Sequence, residues 1–143
     1  MTGQGHLHYK INAMKKVIPF ISYWLCLLTG LGLIFIGARF FLVPVEAEQA
    51  FGIQVNTGNN FSFHYIKGVR DIFSGLALTA LLLTRQYRAL GILLLCAVIV
   101  PATDMSIVAL QPAFQTTALY PHLSAIIIAI LLSIYYLRVK SEK

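Results

Sequence analysis

Residues 64–84, HYIKGVRDIFSGLALTALLLT, decide the fold. The later part of the stretch belongs in hydrocarbon, yet Lys67, Arg70 and Asp71 crowd into its beginning. Read as a membrane span, the segment is the second of four. Its charges must then face protein, water or lipid headgroups.

Composition supports a membrane protein. Of the 143 residues, 58% are hydrophobic and 11% are charged, whereas a soluble domain carries about 25% charged residues. Mean hydropathy is +0.77. The apolar residues form long runs rather than short alternating ones, which points to several spans in one domain. A cleaved signal peptide is not expected, because the first run is too long and lacks a small-residue cleavage site. Residues 1–16 read as a cytoplasmic tail, polar over 1–13, where His6 and His8 could bind metal weakly but disorder is the expectation. The net charge of +6 does not indicate nucleic acid, since the basic residues are sparse and gather at the ends of apolar runs. Cys26 and Cys96 lie within apolar runs without CxxC or Cys/His spacing, so neither metal nor cofactor is expected.

The expected spans are residues 17–43, 64–84, 89–110 and 122–137. Between the first two, PVEAEQAFG (residues 44–52) has proline first, acids in the first turn and glycine last, which predicts a short interfacial helix. NTGNN (56–60) predicts a turn and RQYR (85–88) a tight hairpin. Lys10, Lys15, Lys16, Arg85, Arg88, Arg138, Lys140 and Lys143 make eight of the eleven basic residues. All eight fall on one side, which the positive-inside rule makes cytoplasmic. The expected architecture is therefore all-α: a transmembrane up-down-up-down four-helix bundle, N-in/C-in, with residues 138–143 a cytoplasmic tail. A bacterial inner membrane is the expected location. Trp24, Tyr65, Tyr120, Tyr135 and Tyr136 read as an aromatic belt.

Helical spacing groups His122, Ala125, Ala129, Ser133 and Tyr136 into an inward stripe on the fourth span. On the first span Gly30 and Gly37 share one face, while Gly32 and Arg39 share another about 200° away. Both cannot meet one neighbour, which leaves a face for a second subunit, as in a homodimer.

Each span brings an ionisable group to a similar outer depth: Arg39; Lys67, Arg70 and Asp71; Asp104; and His122. Lysine and arginine can snorkel to headgroups, but a short aspartate cannot. Asp71 and Asp104 must therefore face protein or water. The expected site is an outward-opening pocket with Asp71, Asp104 and His122 as catalytic acid/base groups. Arg39, Lys67 and Arg70 would be its ligand-binding cations and would leave a surplus of positive charge. In a purely structural alternative, Arg39 pairs with Asp71 or Asp104 and the network only locks the bundle.

The strings GARFFLVPVEAEQAFGI (37–53) and YIKGVRDIFSGLALTALLLTRQYRALGILLLCAVIVPATDMSIV (65–108), followed by a histidine opening the last span, carry a resemblance. Over about residues 30–135 the chain resembles a family of small four-helix integral membrane proteins of unknown function from bacteria and fungi. It is more loosely similar to the DoxX-like group, some of whose members are linked to thiol or quinone redox chemistry. The closer resemblance singles out Arg39, Lys67, Arg70, Asp71 and Asp104 and implies no particular activity.

The function expected from these residues is binding of a small lipophilic or anionic molecule that enters from the membrane lipid, with acid/base chemistry on it. A small proton-coupled transporter and an accessory subunit with a structural ion network are the alternatives.

Overall fold

The computed structural model describes residues 3–112 and 114–139, with side chains described from Val17 onward. The described residues form six α-helices and one 3-10 turn: α1 (Gly3–Leu42), α2 (Pro44–Phe51), α3 (Ser62–Leu83), α4 (Tyr87–Ala97), α5 (Ile99–Ala109), the turn Thr116–Leu119, and α6 (Tyr120–Arg138). No strand occurs among them. α1 continues back to Gly3, through the segment expected to be a disordered tail.

By length and composition three stretches can cross a membrane: Val17–Leu42, Tyr87–Ala109 and Thr116–Arg138. α3 has the length, but Lys67, Arg70 and Asp71 all fall in its first half. The outer surfaces are apolar, with Phe35 65%, Phe73 71% and Ile99 70% exposed. Water would not tolerate so continuous an apolar coat, and hydrocarbon would. The chain is a membrane protein.

Local chemistry explains the joints. Val43 breaks α1 from α2, and proline opens α2, where the missing N–H costs nothing. Gly52 closes α2 at φ 98, with its N–H bonded to Gln49 O and that of Ile53 bonded to Glu48 O. This is a Schellman ending, in which the left-handed residue has no Cβ to strain. Arg85 (φ 57) makes the same closure after α3, with its N–H on Leu82 O and that of Gln86 on Leu81 O.

The third apolar run, expected as one helix over 89–110, is broken at Val98 into α4 and α5. Pro101 lies within α5, where it has no N–H to offer the Ala97 carbonyl and its ring crowds the preceding turn.

α1 and α3 pack antiparallel at close range. A Cβ on Gly30 would run into Thr79 and Gly75, and one on Gly37 would lie 2.5 Å from Gly68 O. The buried residues of α3 are His64, Gly68, Asp71, Gly75, Leu78 and Leu82. Alternating steps of four and three make this a heptad seam with glycine at two of its six positions. α6 runs antiparallel to α4 and α5: Ser133 Oγ donates to Gly91 O (2.9 Å), and Tyr136 stacks on Tyr87. The two assemblies, α1/α3 and α4–α5/α6, join at one end through a dry core of Cys26, Leu78, Leu82, Leu90, Leu94, Leu132 and Tyr136. Tyr136, read both as part of an aromatic belt and as part of the inward stripe of the fourth span, is buried in that core, as the stripe predicts, and donates its hydroxyl proton to Ser22 O at 3.1 Å. At the other end α2 lies between the assemblies.

Candidate functional site

Between the dry core and α2 lies a cavity of about 340 Å³. Its walls are largely apolar, including Leu33, Ile36, Leu78, Leu94, Val100, Ala125 and Ala129. Its lining also includes Arg39, Lys67, Asp71, Asp104 and His122, contributed by α1, α3, α5 and α6. Five of the six residues selected from the sequence thus line one space. Arg70 does not. It is exposed, and helical geometry turns it about 120° from the buried seam of α3.

Lys67 organises the charged group. Its Nζ lies 3.1 Å from Asp71 Oδ2 and 3.7 Å from Asp104 Oδ2. The first pair is an i,i+4 contact within α3, and the second ties α3 to α5. The same ammonium stands 4.6 Å from the centre of the Phe51 ring and 5.3 Å from that of Phe40. A cation over two ring faces gains electrostatic attraction where water is scarce. One lysine therefore joins α1, α2, α3 and α5. Its partners also correct the pairing considered from sequence: both aspartates face Lys67, and no carboxylate lies within 4 Å of the Arg39 guanidinium among the described residues. Nor is there a surplus of positive charge. With Arg70 outside, Arg39 and Lys67 balance Asp71 and Asp104.

His122 is buried. Its Nε2 donates to the Phe51 carbonyl at 3.2 Å, and its ring meets the Phe51 ring edge-to-face at 4.8 Å between centroids. The α6 stripe faces inward as expected. His122 and Ser133 are buried, and Ala125 and Ala129, which are more open, line the cavity.

The sequence reading missed a second polar pair. Glu48 and His64 are 6% and 7% exposed, with Glu48 Oε2 2.6 Å from His64 Nε2. The other carboxylate oxygen, Oε1, accepts the Val55 N–H, so Glu48 ties α2 to both the following loop and α3. His64 opens the heptad seam of α3, and that 3.5-residue repeat was the signal that could have found it. Phe40 and Phe51 were also missed, because nothing in the chain marks which aromatic will cover a lysine. No group of three or more His, Cys, Asp or Glu side chains suited to a metal occurs among the described residues.

No curated protein and no solved structure matches the chain. The looser likeness to the DoxX-like group is not shown by these comparisons. One family model matches, and it spans residues 30–136, from Gly30 on the α1/α3 contact to Tyr136 in the dry core. The chain therefore belongs to the family described as Domain of unknown function (DUF4267).

Proposed function

We propose that this protein is a four-helix transmembrane bundle that takes a small amphipathic molecule from the membrane into the cavity beneath α2. α3 is the fourth crossing in this reading. Its 22 residues extend about 33 Å, it lies antiparallel along α1, and its charges turn into the cavity or sit near one end. An even number of crossings puts both termini on one side, and the basic residues make that side cytoplasmic. α2 and the cavity then lie near the outer face, with the membrane being a bacterial inner membrane.

The observation that carries the binding reading is the pairing of a largely apolar chamber with an ionic group at one end. Small-molecule sites commonly combine apolar walls with a few placed polar groups. Asp71, Asp104 and His122 are the groups that could move a proton on a bound molecule. In this reading the apolar core, whose Leu78 and Leu94 line the chamber, lies on its cytoplasmic side, which favours binding over a proton-coupled transport path.

A second reading has its own support: Lys67 is held by two carboxylates and two rings, as a purely structural cross-link would be. The Asp71→Asn variant separates the two. The expected outcome is a change in the amount of a molecule that co-purifies with the wild type, measured by solvent extraction and mass spectrometry, with the thermal transition nearly unchanged. A large fall in the thermal transition with no bound molecule in either protein would make the network structural.

A further inference from the structure

We propose that the cavity selects a single-chain amphiphile with one negative charge, a carboxylate, and that Arg39 rather than Lys67 anchors it. This rests on the binding reading above and names its ligand class.

The charges nearest the cavity are not equivalent. Lys67 is already committed to Asp71 and Asp104 and is flanked by Phe40 and Phe51. An incoming anion there would meet two carboxylates for one ammonium. Arg39 lines the same space, with no carboxylate within 4 Å among the described residues. Its planar guanidinium offers a fork of donors that fits a carboxylate through two parallel hydrogen bonds.

Pairing at Arg39 limits the ligand to one negative charge. The Lys67 group carries a net single negative charge and Arg39 a single positive one. A monoanion neutralises Arg39. A second charge would remain unpaired in a low-dielectric space that also holds Asp71 and Asp104. A cationic head group would suit the Lys67 group but would face Arg39. Shape gives the other half of the class. Leu33 and Ile36 precede Arg39 on α1 and lead from it toward Leu78 at the dry core. A volume of about 340 Å³ is at the small end for ligand sites, so one alkyl chain fits better than two.

The full chain in an uncharged detergent, with radiolabelled dodecanoate as probe, tests this. The competitors are unlabelled dodecanoate, dodecanol, dodecyltrimethylammonium and doubly ionised dodecyl phosphate. The wild type should retain dodecanoate, which should compete best. Arg39→Gln should weaken retention roughly ten- to a hundredfold, the worth of charge-assisted hydrogen bonds, and Arg39→Lys should recover part of it. Equal retention by Arg39→Gln, or dodecanol, the ammonium or the phosphate competing as well as dodecanoate, overturns the anchor and the charge class while leaving the cavity a binding site. Failure of the wild type to retain any probe overturns both. Should Arg39→Gln not fold, the competitor ranking on the wild type decides alone.

Discussion

Glu48 holds α2 in place with one carboxylate: Oε2 on His64 and Oε1 on the Val55 N–H. Replacing it by alanine leaves a buried imidazole and a backbone donor unpaired at once. Leaving a buried donor unsatisfied costs about 1–3 kcal/mol, and unfolding in detergent should show a loss of that order for each of the two partners in Glu48→Ala. Glu48→Gln keeps an acceptor for either partner and should lose clearly less. Equal, small losses would mean that Glu48 does not hold the helix. Asp71 and Asp104 were legible from sequence because a short acid in an apolar helix has few tolerable surroundings. Which cation they meet was not legible. The chain alone suggested Arg39 as their partner, and only the positions of Phe40, Phe51 and α5 around Lys67 decided for the lysine.

Among the helices, the contact of α1 with α3 depends most on absent side chains. A Cβ on Gly75 would lie 2.9 Å from Ile34 N and nearer still to Gly30 O, so both obstacles are backbone. Gly32 has nothing within 4 Å. Gly75→Ala should therefore lower the thermal transition clearly by forcing the helices apart. Gly32→Ala should be neutral or raise stability by about 0.5–1 kcal/mol, the gain of removing glycine from a helix interior. The reverse order would refute the packing. Sequence spacing separated the faces of Gly30/Gly37 and Gly32/Arg39, and the structure puts the first pair against α3. The break of the third run at Val98 was less legible. Pro101 was visible, but a proline can bend a helix or interrupt it, and its presence alone does not say which.

For the molecule as a whole, the proposed topology can be checked from outside the cell. Thr57 lies in the loop between α2 and α3, and Gln86 in the joint between α3 and α4. A cysteine at Thr57 should react with an impermeant maleimide in intact cells, and one at Gln86 only after the membrane is opened. Labelling at Gln86 but not Thr57 would invert the orientation, and labelling of both in intact cells would remove α3 as a crossing.

The all-α class, the membrane environment and the approximate helix ends follow from this chain by itself, because apolar runs, prolines, glycines and basic flanks act locally. The same holds for the positions of Arg39, Asp71, Asp104 and His122 along their helices. Rotation about each axis and the distance between helices are different. They arise from glycines that let α1 and α3 touch, from a core that joins the two assemblies at one end, and from α2 resting between them at the other. Those contacts leave a chamber, turn Arg70 out of it and place both aspartates on Lys67. Such outcomes depend on atoms far apart in sequence, so only the tertiary structure could decide them.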